Sequence, residues 1–129
     1  MAIQSKRKKS AIHTTVVGLC KKAFPGFTIM EEEKVQVQGQ RQPLYLDVAI
    51  RELKVAIECH GEQHFKFVSF FHDSREDFVR AQGLDRVKEQ AIKSAGWTYM
   101  MIRFDEYQDL TPASLTKLIT RAIEGQPNE

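Results

Sequence analysis

Two apolar stretches, residues 44–50 and 54–60, are separated only by the short link Arg51 to Leu53. In both stretches apolar side chains recur at every second position, which is the period of a β-strand. Antiparallel strands can be joined by a few residues, whereas parallel strands need a long crossover. The two stretches therefore predict a hairpin, which constrains the fold more than any other feature of the chain.

Acidic and imidazole side chains interrupt this hairpin. The first strand carries on one face the apolar residues Leu44, Leu46, Val48 and Ile50. Asp47 then lies on the opposite face, and in the second strand Glu58 and His60 share a face. Because paired strands bring opposite side chains together, we expect Asp47 and Glu58 to be near neighbours.

Helical patterns precede and follow the hairpin. Ser10 predicts the N-cap of a first helix with the stripe Ile12, Val16, Cys20 and Phe24, ended by Pro25 and Gly26. An interrupted strand is expected over 27–37 and a polar turn over 39–43. Ser74 and Asp77 predict a capping box that begins a helix to about Ala95, with Gly83 as a possible interruption. The expected inner stripe of this helix is Leu84, Val87, Ala91 and Ala95.

The end of the chain adds one strand and one helix. Residues 97–104 predict a strand buried on both sides, after Gly96. Thr111 and Pro112 begin a last helix, whose expected inward residues are Leu115, Leu118, Ile119 and Ala122. The order is helix, three strands, helix, strand, helix, which predicts an α/β domain with a central mixed sheet flanked by helices and a right-handed crossover. At 129 residues we expect one domain over 10–124, between a basic arm (1–9) and a loose tail (125–129).

The formal charge of +2 is unevenly distributed. Four cations stand in the arm before any acid, namely Lys6, Arg7, Lys8 and Lys9. Without them the rest of the chain is mildly acidic, so an arm that contacts phosphates and a body that binds a metal are both expected. The alternative for the arm is a solvated terminus.

The chain has no apolar run near the ~20 residues of a bilayer span and no secretory signal pattern, so we expect a soluble, cytoplasmic protein. Cys20 and Cys59 lack the spacing of a zinc or redox pair, and we expect reduced thiols.

The hairpin residues predict a metal-dependent hydrolytic site. Asp47 and Glu58, together with the backbone carbonyl of Cys59, offer the oxygen ligands that Mg²⁺ or Mn²⁺ prefers. His60 would orient or deprotonate the attacking water, with His64 as a second candidate.

Asp85 and Lys88 stand three residues apart on one helix face, so both can be presented to the same site. Their alternative is a surface ion pair. A zinc site built on the two histidines is a further alternative, although no cysteine pair or third histidine has a suitable spacing. The aromatic residues Phe65, Phe67, Phe70 and Phe71 predict a cover over the core, and an exposed subset would stack on nucleic acid.

These motifs resemble those of the PD-(D/E)XK nuclease superfamily. Within it, the stretch Ile57-Glu58-Cys59-His60-Gly61-Glu62-Gln63-His64 and the segment Leu84-Asp85-Arg86-Val87-Lys88 are similar to a small branch. That branch is related to the very-short-patch repair endonucleases and to phage homing endonucleases with an EDxHD pattern. The resemblance covers residues 10–105 and implies a restriction-endonuclease-like core. It also suggests a phage origin, and a phage-encoded protein would act in the cytoplasm of the host.

The resemblance also implies roles for the residues. Asp47 and Glu58 would be metal ligands, and His60 would take the position of the lysine of the PD-(D/E)XK motif. His64 and Asp85 would be the histidine and aspartate of the EDxHD pattern. Lys88 would supply the positive charge that the superfamily's lysine normally provides. In such nucleases the first helix often carries a glutamate that faces the site, whereas this chain has His13, so a second metal position is open. The substitutes for it are Glu31, Glu32 and Glu33, between which the sequence does not choose.

The expected activity is therefore Mg²⁺-dependent hydrolysis of DNA, with nicking, homing-type and repair or junction-type enzymes all compatible. Cutting both strands would favour a homodimer, and specificity would come from loops, the arm or a partner protein. The alternatives are a catalytically inactive DNA-binding or accessory domain of the same fold, and a metal hydrolase that acts on another substrate.

Overall fold

The computed structural model describes residues 10–36, 39 and 41–125. The arm residues Lys6, Arg7, Lys8 and Lys9, together with positions 126–129 of the tail, lie outside them. The helices and strands run in the order α1 (Ala11–Ala23), β1 (Ile29–Val35), β2 (Leu44–Ile50), β3 (Val55–His60), α2 (Arg75–Ser94), β4 (Thr98–Arg103) and α3 (Pro112–Glu124). This is the predicted order. Among the described residues no helix is both long and apolar enough to span a bilayer.

The four strands form one mixed sheet in the order β1-β2-β3-β4. Strands β1 and β2 are antiparallel, as are β2 and β3, so the predicted hairpin is confirmed. Strands β3 and β4 are parallel, and α2 is the crossover between them. The class is therefore α/β, with a central mixed sheet flanked by three helices.

The sheet separates two apolar clusters. The larger joins α1 and α3 to the sheet and includes Val16, Cys20, Val48, Ile50, Val55, Ile57, Ile102, Leu115 and Ile119. The smaller joins α2 to the other face and consists of Leu46, Ala49, Ala56 and Ile92, with Trp97 and Tyr99 packed against it. Strand β4 is buried on the face of the larger cluster and half-buried on the other, so the predicted burial on both sides is confirmed for the first face only. Cys20 and Cys59 are free thiols.

Side-chain caps position the helices as the sequence predicts. Ser10 Oγ accepts a hydrogen bond from the backbone N–H of His13 (3.1 Å), and Ser74 Oγ accepts one from that of Asp77 (3.2 Å). The Asp77 carboxylate accepts from Arg80 instead (2.7 Å), so Ser74 caps α2 but the predicted capping box is only half formed. Thr111 forms a reciprocal capping box with Ser114. Gly83 does not interrupt α2, which is continuous over twenty residues.

The predicted inner stripe of α2 is wrong at two positions. Leu84 and Val87 are 63% and 52% exposed, whereas Ala91 is buried as predicted. The inward line is instead Asp85, Lys88 and Ile92, which have helical spacing and are half-buried or buried. The reason is that the middle of α2 faces a polar cleft, and only its C-terminal end packs on the apolar sheet.

The expected interrupted strand forms as one strand, Ile29–Val35, within which Glu32 has a left-handed φ of +53°. The register pairs Glu31 with Val48 and Glu33 with Leu46, so Glu32 lies opposite Asp47. The prediction that Leu46 shares the face of Val48 is wrong, because Leu46 packs in the smaller cluster. The regular alternation fails where the ladder is distorted, next to Asp47.

Candidate active centre

The carboxylates of Asp47 and Glu58 join β2 to β3 where the regular ladder ends. Strand pairing runs from Ile50 to Val48 on β2 and does not continue to Asp47. Beyond that point Glu58 Oε2 accepts a hydrogen bond from the Asp47 backbone N–H (3.1 Å). In return Asp47 Oδ2 accepts one from the Cys59 backbone N–H (2.9 Å). Each carboxylate thus replaces a lost ladder bond and is held in a fixed position, as the predicted acidic pair requires.

Glu58 is only 2% exposed, and its charge needs a partner. Lys88 Nζ lies 2.6 Å from Oε1 of Glu58. Burial raises the pKa of Glu58, the neighbouring charge of Asp47 raises it further, and Lys88 opposes both effects. A cation at this position therefore lowers the pKa of Glu58 against the effects of burial and of Asp47.

His60 and His64 stack in parallel, with ring centroids 4.0 Å apart and planes inclined by 11°. His64 Nδ1 lies 2.8 Å from Asp85 Oδ2, so the ring donates to an acceptor-only carboxylate. Burial lowers the pKa of His60 to about 4, with a further contribution from His64, against the opposing charges of Asp85 and Asp47. His60 is therefore a neutral imidazole near pH 7.

The zinc alternative would use His60, His64 and Asp85, which offer ligand atoms within 4.8 Å of one another. The stacking of the two imidazole rings argues against it. The lone pair of an imidazole nitrogen lies in the plane of the ring. Two stacked rings have separate planes, so they cannot both direct a lone pair at one ion. This arrangement disfavours a metal shared by the two histidines.

All six predicted catalytic side chains line one cleft of about 740 Å³. They are Asp47, Glu58, His60, His64, Asp85 and Lys88. Cys59 also lines the cleft, while the role of its backbone carbonyl as a ligand stays a prediction. The two carboxylates each accept one backbone hydrogen bond and keep further lone pairs, so both can still act as oxygen ligands of a cation.

A second group of side chains extends the cleft toward α1. His13, Glu32 and Asp47 offer ligand atoms that all lie within 4.8 Å of one another. His13 Nε2 lies 3.1 Å from Glu31 Oε1, and His13 Nδ1 lies 4.0 Å from Glu32 Oε2. The structure thus places Glu32 in the cleft and Glu31 behind the imidazole, a choice between the three glutamates that the sequence left open.

The aromatic residues divide into two pairs. Phe65 and Phe67 are half-buried, and Phe65 packs beside Phe104 and His60, as a cover would. Phe70 and Phe71 are 86% and 58% exposed, so the predicted cover is wrong for them. Phe71 lines the cleft, and the two exposed rings pack edge to face 5.0 Å apart.

Comparison with known proteins gives one relative and no family. The chain is 34% identical over 83 residues to "Uncharacterized protein 094L" of Frog virus 3 (isolate Goorha). The match covers 60% of this chain and 54% of the viral protein, so the chain spans about half the length of that relative. No family model and no solved structure matches the chain.

Proposed function

We propose that this protein is a metal-dependent endonuclease that hydrolyses phosphodiester bonds in DNA, built on a restriction-endonuclease-like core. The observation that carries the proposal is a pair of hydrogen bonds at the point where the β2–β3 ladder ends: Glu58 accepts from the backbone N–H of Asp47, and Asp47 accepts from the backbone N–H of Cys59. It leaves two acidic groups facing a wide cleft, together with a lysine and two histidines. This is the set of groups that phosphodiester hydrolysis needs.

Asp47 and Glu58 would hold the divalent ion, Mg²⁺ or Mn²⁺. When bound, the ion would polarise a phosphodiester oxygen and acidify the attacking water. Lys88 contacts Glu58 from α2, and its second task is to stabilise negative charge on the scissile phosphate.

The two histidines would have different roles toward the attacking water. His64 donates its Nδ1–H to Asp85, which fixes the ring and leaves Nε2 to accept a proton. His60 remains neutral at physiological pH because burial lowers its pKa to about 4, so it orients the water through a hydrogen bond. His64 is therefore the better placed proton acceptor of the pair.

The proposed substrate is DNA, held in part by the basic arm, whose lysines and arginine would contact phosphates. One chain provides one centre, so a monomer would nick one strand and a homodimer or a partner protein would be needed for double-strand cleavage.

The first experiment incubates purified protein with supercoiled plasmid in Mg²⁺, Mn²⁺ or EDTA. Glu58→Gln is the test variant, and Glu76→Gln, which changes an exposed carboxylate at the start of α2, is the matched control. We expect metal-dependent nicking or linearisation that Glu58→Gln abolishes and Glu76→Gln retains.

Branched and mismatched duplexes are tested in parallel, because a structure-specific enzyme would spare plasmid. If none of these substrates is cut and DNA is bound equally well in EDTA, the nuclease proposal fails and a binding domain of the same fold replaces it.

A further inference from the structure

His13 is buried in the first turn of α1, where a polar ring needs a defined set of partners. It is only 4% exposed, and its backbone N–H is held by the Ser10 cap. Its Nε2 lies 3.1 Å from Glu31 Oε1. Because an ionised carboxylate only accepts hydrogen bonds, Nε2 is the nitrogen that carries the proton. The opposite nitrogen, Nδ1, then faces the cleft.

On the cleft side, Nδ1 faces carboxylates. Glu32 Oε2 lies 4.0 Å from it, and the Asp47 carboxylate belongs to the same group of ligand atoms within 4.8 Å. A separation of 4.0 Å is too long for a hydrogen bond. It matches two ligands of one ion, since metal–ligand bonds of about 2.1 Å place neighbouring ligands about 3–4 Å apart.

The orientation of His13 is the one that metal sites use. Ligating histidines nearly always donate their other ring N–H to a carboxylate or carbonyl, which fixes the ring and makes it more basic. Glu31 provides that carboxylate here. This contact lies outside the Glu32 and Asp47 pair, so it is an observation independent of the acidic cluster itself.

The backbone of Glu32 gives further support. A left-handed φ of +53° is unfavourable for a residue with a Cβ atom, and such conformations concentrate at functional sites. It occurs where the strand would otherwise alternate regularly opposite Asp47. The distortion directs the Glu32 side chain to line the cleft beside His13.

We propose that His13, Glu32 and Asp47 form a second divalent-metal site, and that this site selects a transition metal ion over Mg²⁺. Selectivity follows from the imidazole ligand, because imidazole suits ions such as Fe²⁺, Ni²⁺ and Zn²⁺, whereas Mg²⁺ prefers oxygen ligands. Mn²⁺ also takes oxygen ligands and binds most weakly of the first-row ions, so a nitrogen bonded to Mn²⁺ is a stringent test of the site. The proposal deepens the proposed function, since Asp47 is shared with the first ion and both ions would face the same cleft. Glu31 is a positioning residue for His13.

The test uses Mn²⁺ alone, added to the full chain without DNA. Titration calorimetry measures stoichiometry and affinity, and pulsed electron paramagnetic resonance detects a nitrogen bonded directly to Mn²⁺. We expect two ions per chain and a directly bonded nitrogen. His13→Gln removes the nitrogen signal, whereas the control His60→Gln retains it. Glu31→Gln keeps the signal and weakens the site 10–100-fold, the usual effect of losing such a partner.

The variant Glu32→Gly distinguishes metal binding lost with a ligand from metal binding lost because the protein fails to fold. Glycine adopts a left-handed φ without strain, so this variant relaxes the backbone while it removes the carboxylate. We expect its melting temperature in EDTA to equal or exceed that of the wild type, and its affinity for the second Mn²⁺ to fall at least tenfold.

Unchanged Mn²⁺ binding by Glu32→Gly, or a wild-type protein with no bonded nitrogen, overturns the second site. These results are independent of cleavage. Nitrogen-bonded Mn²⁺ in a protein that cuts no DNA supports the second metal site and rejects the nuclease proposal. Mg²⁺-dependent cleavage by a protein with no nitrogen bonded to Mn²⁺ supports the nuclease proposal and rejects the second metal site.

Discussion

Lys88 on α2 contacts Glu58 on β3, with Nζ 2.6 Å from Oε1, and this ion pair joins the helix to the sheet across the cleft. The glutamate side chain is almost fully buried, whereas the lysine is about a quarter exposed. A carboxylate buried in this way depends on its cation, because removal of one partner leaves an uncompensated charge. The pair therefore couples stability to the chemistry of the site.

Lys88→Met should lower stability more at pH 8 than at pH 5. Burial raises the folded-state pKa of Glu58 above its unfolded value, and loss of Lys88 raises it further. A raised carboxyl pKa means that the folded state binds the extra proton, so its stability is lost as pH rises through the folded pKa. We expect a loss of about 1–3 kcal/mol at pH 8 and a smaller one at pH 5, by urea unfolding in EDTA. An equal loss at both pH values would contradict this coupling.

Acidification should destabilise the metal-free protein through His60. Burial lowers the folded-state pKa of His60 to about 4 from an unfolded value of 6.5. The unfolded chain therefore binds more protons between these values, and stability falls as pH decreases from 6.5 toward 4. The full effect is about 3 kcal/mol. His60→Gln should show a shallower loss over this interval in urea unfolding with EDTA, and parallel curves for the two proteins would reject the prediction.

His64→Gln and Asp85→Asn should impair cleavage as one unit. His64 accepts the proton in the proposed mechanism, and Asp85 holds its ring through a 2.8 Å hydrogen bond. We expect His64→Gln to lower the single-turnover rate about 10²–10⁴-fold. The double variant should be no slower than His64→Gln alone, because residues that act together are not additive. Multiplied losses would show that the two residues act separately.

The exposed face of α2 should tolerate substitution of its large apolar residues, whereas the inner face should not. Leu84→Ser and Val87→Ser change residues that are more than half exposed, and each should alter the free energy of unfolding by about 0.5 kcal/mol or less. Ile92→Ala empties part of the smaller cluster and should cost about 2–5 kcal/mol. Urea unfolding of the three variants measures this contrast. A large loss of unfolding free energy for Leu84→Ser would mean that Leu84 packs inward, as the predicted stripe had it.

Local patterns in the sequence were sufficient for the elements of the fold. The hairpin follows from two alternating stretches and a short link, and the three helices begin at Ser10, Ser74 and Thr111 because each side chain caps a nearby backbone N–H. The proximity of Asp47 and Glu58 follows from the same hairpin. These contacts join residues close along the chain, so short-range geometry determines them.

Tertiary packing decided which faces are polar. Leu84 and Val87 have helical spacing suited to a core, yet α2 docks with Asp85 and Lys88 inward, because its middle covers the cleft. Hydrophobic periodicity predicts which helix face packs on an apolar core. It does not predict the inward face when the surface that the helix covers is polar.

The choice of Glu32 from three consecutive glutamates also depended on tertiary structure. Its left-handed backbone, and the approach of His13 from another element to its carboxylate, appear only in the folded chain. The sequence by itself thus determined the strands, the helix caps and the acidic pair. Only the tertiary structure decided how helices and sheet converge around them, because the contacts between distant segments depend on how those segments pack.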